Sequence, residues 1–195
     1  YMNRLALIIP TCFPDPNLLP FPLDMYDTEG YPDGQVGESC QSMMPNHNGT
    51  MPQSSPSPFN VTASKSWFHP GEEITVTLEA ENGTSFRGFL LQARTVGTNM
   101  TSGSFKILNA NTSQGLTCNI SNDTVSHTSS LQKQSINVVW VAPVSGQMED
   151  IEFRSTFVEY EYKFWVGVKS NTITPANGTE NSSSTAQPDN HSASP

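Results

Sequence analysis

Apolar and polar residues alternate with a period of two along the middle of the chain. The clearest case runs from Ile74 to Ala80, where Ile, Val, Leu and Ala alternate strictly with Thr and Glu. Successive side chains of a strand point to opposite faces, so this pattern predicts a strand with one buried face. Pro70-Gly71 before it and Asn82-Gly83 after it are typical turn residues. The segment is therefore predicted to be a β-strand between two turns.

Several other segments have the composition of strands. Phe86 to Ala93 is more continuously apolar, as expected at the centre of a sheet. Later strands are predicted from β-branched and aromatic residues at Gly103 to Leu108, Ile136 to Val141, Ile151 to Phe157 and Tyr160 to Val168. In the last of these, one face is predicted to carry Tyr160, Tyr162, Phe164, Val166 and Val168. Six or seven short strands without a clear helical period predict an all-β, antiparallel β-sandwich.

Composition divides the chain into three regions. Residues 1–30 are rich in proline and aperiodic, so we expect an unstructured N-terminal segment. Residues 31–170 carry nearly all of the periodic pattern and are expected to form the domain. Residues 171–195 are rich in Ser, Thr and Asn, and we expect them to form a flexible linker or stalk.

The charge balance excludes one class of partner. The 195 residues include 9 basic and 18 acidic side chains, a net charge of −9, and no basic cluster. Nucleic-acid binding needs clustered Lys and Arg, so no nucleic-acid partner is expected. No stretch approaches the ~20 apolar residues of a transmembrane helix, so no direct membrane span is expected in this chain. Because it starts at Tyr1 and not at Met, we expect it to be part of a longer protein.

Glycosylation acceptors are unusually frequent. The pattern Asn-x-Ser/Thr occurs ten times where about three or four would arise by chance. Loops rich in Asn, Ser and Thr also produce such sites by accident, and two acceptors three residues apart are not expected to be occupied together. The excess nevertheless predicts an extracellular chain, either secreted or the ectodomain of a membrane protein. The acceptors are Asn48, Asn60, Asn82, Asn99, Asn111, Asn119, Asn122, Asn177, Asn181 and Asn190.

The chain has three cysteines, so any intramolecular disulfide leaves one of them unpaired. Cys12 lies among five prolines, whereas Cys40 and Cys118 both flank strand-like sequence. We therefore expect a Cys40–Cys118 disulfide, with two free buried thiols as the alternative. Cysteine and histidine do not occur at zinc-ligand spacing, and no metal site is predicted.

Candidate catalytic groups are sparse. The sequence has no nucleophile elbow, no phosphate-binding loop and no calcium-loop pattern. Of the four histidines, His47 and His127 could meet in the fold, yet a structural role is the simpler expectation for each of them. The acidic pairs Glu72-Glu73 and Glu149-Asp150 fall at predicted turns, where exposed surface is the simpler interpretation. We therefore predict no catalytic residues, no cofactor and no enzyme activity.

The stretch from Phe86 to Arg94 resembles the central strand of the reeler (reelin N-terminal-like) domain. Further motifs follow in that family's order. They are Tyr31-Pro32-Asp33-Gly34, Ser39-Cys40, Met43-Met44-Pro45-Asn46-His47, Pro56-Ser57-Pro58-Phe59, Pro70-Gly71-Glu72-Glu73-Ile74, Gly103-Ser104-Phe105, Gln114-Gly115-Leu116-Thr117-Cys118, Thr124-Val125-Ser126-His127, Trp140-Val141-Ala142-Pro143 and Phe164-Trp165-Val166-Gly167-Val168. The resemblance covers about residues 31–170. It implies an extracellular, immunoglobulin-like β-sandwich, supports the Cys40–Cys118 pairing, and supplies no catalytic residue.

Within that family the motifs are most similar to the reeler region of ferric-chelate reductase-like membrane proteins. There the module precedes a DOMON domain and a haem-bearing membrane domain, which implies a non-catalytic interaction module whose partner is an extracellular protein or surface ligand. The alternative is a complete secreted protein of the insect defence type. A third hypothesis, that this chain itself reduces metal, needs a haem site or redox thiol that the sequence does not offer.

Overall fold

The computed structural model describes residues 31–47, 49–81 and 83–176. These residues form eleven strands and one 3-10 turn at Gly37–Ser39, and they contain no α-helix. The strands are β1 (Phe59–Ala63), β2 (Trp67–Phe68), β3 (Glu73–Ala80), β4 (Gly88–Thr95), β5 (Ser104–Ile107), β6 (Ser113–Leu116), β7 (Thr124–His127), β8 (Ser135–Val141), β9 (Ile151–Tyr160), β10 (Lys163–Lys169) and β11 (Thr174–Pro175).

The strands form two antiparallel sheets that face each other. One has four strands in the order β1-β3-β8-β5, and the other has five in the order β10-β9-β4-β7-β6. A short parallel pair, β11-β2, lies beside them. The predicted all-β, antiparallel sandwich is therefore confirmed.

Both sheets contribute side chains to one core. In β3 the predicted alternation is observed, because Ile74, Val76 and Leu78 are fully buried between more exposed neighbours. The other sheet contributes aromatic side chains, among them Phe157, whose ring stacks 5.1 Å from that of Phe59. Trp140 is also fully buried, and its indole N–H donates to the carbonyl oxygen of Ser102 at 2.8 Å. Burial of these rings provides a large share of the stabilising free energy.

The outer face of the five-stranded sheet is covered by residues 31–47, which we call the arm. The Arg94 guanidinium donates to the carbonyl oxygens of Cys40 and Gln41 at 2.8 and 3.0 Å. Further along the arm, the Thr156 hydroxyl donates to the carbonyl oxygen of Met43 at 2.6 Å. Because the arm covers this face, seven of the eight residues of β4 are buried.

Two features differ from the sequence-based predictions. Tyr160 ends β9 and β10 begins only at Lys163, so a hairpin turn interrupts the continuous strand predicted from Tyr160 to Val168. Phe164 is buried against His47 of the arm, whereas its neighbour Trp165 is buried in the core. Register shifts on both sides of this pair break the alternation, so the predicted shared face does not form. The fold also continues past residue 170, because Ile173 bridges Ile151 and β11 pairs with β2.

Candidate functional site

A cleft of about 570 Å³ lies between the arm and the outer face of the five-stranded sheet. We call it the arm cleft. Its floor includes Leu90 and Val158 from the sheet, and Met43 of the arm lines the same space. The β9–β10 hairpin forms part of its rim with Tyr160 and Tyr162. A volume of this size is typical of small-molecule binding sites, which makes the arm cleft the candidate site in the part of the chain that the structure describes.

His127, at the end of β7, lines the arm cleft and is bonded through both ring nitrogens. Its Nδ1 accepts from the backbone N–H of Phe89 at 3.2 Å, and its Nε2 lies 3.1 Å from the carbonyl oxygen of Tyr31. The neutral tautomer with the proton on Nε2 satisfies both partners. Burial is the main cause that lowers the pKa of His127 below its ordinary value. His127 therefore fixes the start of the arm to the sheet.

His47 lines the same cleft from the other end of the arm. Its ring makes an edge contact with Phe164 at a centroid distance of 5.3 Å. The Nδ1 atom is buried and has no hydrogen-bond partner among the described residues. A buried, unpaired polar atom costs free energy, so this nitrogen destabilises the domain as long as it lacks a partner.

Two charged side chains lie at the arm cleft. Glu161, in the hairpin turn, has one buried carboxylate oxygen, Oε2, without a hydrogen-bond partner in the described ranges. The same carboxylate raises the pKa of the neighbouring Tyr162 hydroxyl through a hydrogen bond. Arg87 donates only one long hydrogen bond, of 3.4 Å, to the carbonyl oxygen of Ser130, and it forms no ion pair with any described acid.

Two exposed tyrosines complete the rim. Tyr160 is 50% exposed and Tyr162 is 61% exposed. The Lys163 ammonium lies 5.8 Å from the ring centre of Tyr160, and it also pairs with Glu159 at 2.8 Å. Exposed aromatic rings beside a cleft are typical contact surfaces for ligands.

The arrangement is suited to binding. Both ring nitrogens of His127 are engaged with the backbone, so this histidine is not positioned as a general base. Within residues 31–47, 49–81 and 83–176, no three side chains among His, Cys, Asp and Glu come together as a metal site would require. The arm cleft thus offers hydrogen-bonding groups and aromatic rings around an apolar floor.

Two of the three cysteines form a disulfide at the arm. The structure joins Cys40 of the arm to Cys118 in a disulfide, with a Cα–Cα distance of 5.6 Å. This is the pair that the sequence analysis selected. The carboxylate of the buried Asp123 accepts from the backbone N–H groups of Cys118, Asn119 and Ile120 at 2.8–3.1 Å and so holds the loop that carries Cys118. Cys12 lies outside the described residues.

Five of the ten predicted glycosylation acceptors lie in the described residues, and all five are exposed. They are Asn60, Asn99, Asn111, Asn119 and Asn122. The side-chain oxygen of Asn99 accepts from Arg94 and Arg154 at 2.9 and 3.1 Å. The other five acceptors lie outside the described residues: Asn48, Asn82, Asn177, Asn181 and Asn190.

Sequence reasoning singled out His47 and His127 but missed the rest of the arm cleft. The sequence pattern places Arg87 in a predicted strand without a functional role. It also predicts that Tyr160-Glu161-Tyr162 begins a strand, whereas these residues form a hairpin turn. The available signal was an acid between two tyrosines at a strand end. Of the two remaining histidines, His69 packs against Trp67 and does not line the arm cleft, and His191 lies outside the described residues.

A comparison with protein families identifies the chain. The family model of the Reeler domain matches residues 38–181. The chain belongs to the Reeler domain family. The matched segment includes most of the arm, both cysteines of the disulfide and all eleven strands. The arm cleft is thus a feature of a reeler domain.

Several curated proteins are similar to this chain. "Putative ferric-chelate reductase 1" of Danio rerio is 48% identical over 146 residues, which cover 74% of this chain and 25% of that protein. "Ferric-chelate reductase 1" of Bos taurus is 40% identical over 151 residues, which cover 75% of this chain and 24% of that protein. The chain therefore spans about a quarter of these relatives. "Putative defense protein 2" of Antheraea mylitta is 34% identical over 148 residues, covering 73% of this chain and 89% of that protein.

Solved structures support the fold. The Reelin-N domain of F-spondin superposes with a TM-score of 0.55 at 19% sequence identity, covering 66% of this chain and 93% of that one. The human F-spondin reeler domain gives a TM-score of 0.56 at the same identity. At this identity the likeness shows the reeler fold alone. Among the described residues, none of the helical structure has the length and hydropathy of a membrane span.

Proposed function

We propose that this reeler domain is a non-catalytic, extracellular interaction module from a ferric-chelate reductase-like membrane protein. The observation that carries the proposal is the 48% identity to one quarter of a protein with that name. The domain would then display a binding surface, while electron transfer takes place in other parts of the parent protein. The arm cleft is the surface best suited to that role.

The chemistry of the described residues supports a non-catalytic role. Cys40 and Cys118 are joined to each other, so neither offers a thiolate. His127 is held by two backbone groups. Purified protein assayed for reduction of ferric chelates, with its absorbance spectrum recorded for haem, tests this part of the proposal. Turnover of a ferric chelate by the chain itself would contradict it.

The disulfide and the exposed glycosylation acceptors support an extracellular location. Disulfides persist in oxidising compartments, and N-glycans are added in the secretory pathway. Expression in a secreting eukaryotic cell, followed by peptide-N-glycosidase treatment, tests the location. We expect a clear increase in gel mobility after treatment. Unchanged mobility of the secreted protein would contradict a glycosylated extracellular module.

A second candidate function is a complete secreted protein of the defence type. It is favoured by the match to 89% of the length of the Antheraea mylitta protein. The full-length transcript distinguishes the two candidates. A stop codon directly after Pro195 supports the secreted protein, whereas a continuing frame with a DOMON-like domain supports the membrane protein.

A further inference from the structure

Unsatisfied polar atoms mark the arm cleft as a site that a ligand completes. The buried atoms are Oε2 of Glu161 and Nδ1 of His47, and neither has a partner among the described residues. An ionised carboxylate oxygen needs a donor, and a neutral imidazole nitrogen needs either an acceptor or a donor, depending on its tautomer. Native proteins rarely leave such atoms unpaired. Both side chains line the same cleft, so a molecule bound there lies beside both of them.

The charges at the arm cleft favour a ligand without net charge. Arg87 supplies one positive charge and Glu161 supplies one negative charge, and neither forms an ion pair in the described part of the chain. An anionic ligand would bring a second negative charge beside Glu161, and a cationic ligand would bring a second positive charge beside Arg87. Hydroxyl groups suit both residues, because each hydroxyl donates one hydrogen bond and accepts others.

The rim offers flat apolar faces beside these polar groups. The rings of Tyr160 and Tyr162 are half-exposed or more, and Tyr31 lines the same cleft from the arm. Aromatic rings pack well against the C–H faces of a saturated ring, while their hydroxyl groups remain in contact with water. A ligand with an apolar face and a hydroxylated edge fits both sets of groups.

We propose that the arm cleft binds a neutral sugar residue at the end of a glycan, with Glu161, His47 and Arg87 bonding its hydroxyl groups and the rim tyrosines packing against its ring. This deepens the proposed function, on which it rests, by giving the interaction module a ligand class. The space of about 570 Å³ accommodates one or two sugar rings.

The test is a binding assay on the secreted full chain, before and after removal of its own N-glycans. The probes are an array of neutral mono- to hexasaccharides, with sulfated and sialylated oligosaccharides beside them. The strongest binder is then titrated by calorimetry. We expect binding to neutral oligosaccharides, weakened about tenfold in Tyr162→Ala and in Glu161→Gln. Both residues lie in the turn between β9 and β10 and outside the hydrophobic core, so both variants keep the core intact.

Trp67→Ala is the matched control, because Trp67 is an exposed aromatic residue, 44% exposed, outside the arm cleft. Its affinity should equal that of the wild type. The proposal is overturned if no neutral oligosaccharide binds at about 10 mM, if only acidic oligosaccharides bind, or if the two hairpin variants bind like the wild type. Secretion and glycosylation without sugar binding would overturn this proposal alone. Sugar binding by a chain that is not glycosylated would instead contradict the proposed location.

Discussion

Lys133 shows how single side chains of this domain carry buried charge. Its ammonium group donates to the carbonyl oxygens of Arg87, Ser129 and Leu131 at 2.6–2.7 Å. Burial lowers its pKa to about 8, so the group is still protonated at pH 7 and can donate all three bonds. A lysine in a polar stretch of sequence is predicted to lie on the surface. Its burial follows from the position of the three carbonyl groups, which only the folded backbone defines.

At the same scale, a substitution at Gly34 tests the contact between the arm and the backbone of His127. It has a φ of +72°, and a Cβ atom there would lie 1.8 Å from the carbonyl oxygen of His127. We expect Gly34→Ala to lower the free energy of unfolding by about 3 kcal/mol, through backbone strain and this clash. Chemical denaturation followed by tryptophan fluorescence measures the change.

Gly97→Ala is the matched control for that experiment. Gly97 has a similar φ of +78°, but no atom lies within 4 Å of the position of its added Cβ. Its substitution should therefore cost only the backbone strain, about 1 kcal/mol. Equal losses in the two variants would show that the arm does not sit against His127 as described.

His127 makes the stability of the domain depend on pH. Its folded pKa lies below the ordinary value of 6.5, mainly because of burial, so the unfolded chain binds a proton more readily than the folded one. The stabilising contribution is complete above about pH 6.5 and decreases as the pH falls toward the folded pKa. We expect the thermal midpoint to fall between pH 7 and pH 5.5, and to fall less in His127→Gln.

The exposed His69 supplies the control for this pH dependence. In His69→Gln the thermal midpoint should decrease as much as in the wild type, because the ring of His69 is exposed. The carboxylates whose pKa values are lowered, such as Asp123 and Glu152, lose their contributions only at more acidic pH. An unchanged decrease in His127→Gln would assign the pH dependence to other groups.

At the scale of elements, strands with a strict alternation could be predicted and short polar strands could not. β3 was predicted to within one residue, because three apolar side chains alternate with polar ones over its length. β7 was not predicted, because its buried Thr124 and Ser126 are polar and give no apolar pattern. β10 was misjudged because its two register shifts break the period of two.

The link between the arm and the loop before β7 gives a prediction at this scale. The Cys40–Cys118 disulfide joins residues 78 apart in sequence. Replacing both cysteines by serine should lower the free energy of unfolding by about 2–5 kcal/mol, and it should increase hydrogen exchange in the arm more than in β3. Peptide mapping without reduction should recover Cys40 linked to Cys118. A Cys12–Cys40 peptide would contradict the pairing.

At the scale of the whole molecule, the surface combines few charges with several exposed apolar side chains. Only 14% of the residues are charged, and exposed apolar side chains remain, such as Met100 at 70% and Ile120 at 53% exposure. Asn99 and Asn119 lie beside these two residues in one surface hollow. Attached glycans would shield such patches.

Enzymatic removal of the N-glycans should therefore lower solubility more than stability. We expect a lower polyethylene glycol concentration at the precipitation midpoint, with a thermal midpoint changed by no more than about 3 °C. Protein incubated without the glycosidase is the control. An unchanged precipitation midpoint would show that the glycans do not maintain solubility.

The overall architecture could be predicted because it depends on the average pattern of many residues. The candidate site could not, because it depends on the arm, which has no periodic pattern, and on a hairpin that turns where a strand was expected. His47 and His127 were identified as a pair that could meet, yet their 80-residue separation gives no indication of the cleft between them. How close two loop residues lie in the folded domain depends on how the sheets place the loops, and this placement cannot be read from the sequence separation.

The position of the arm also means that its contacts are distant in sequence. The arm is synthesised before every strand, yet Thr156 of β9, which bonds to Met43, lies 113 residues later in the chain. The sheet surface that holds the arm is thus complete only when β9 has been synthesised and has paired with β4. Until Cys118 has been synthesised, 78 residues after Cys40, the Cys40 thiol can form a disulfide with Cys12 or with another chain. Correct oxidation of this domain therefore depends on thiol–disulfide exchange in the compartment where the chain folds.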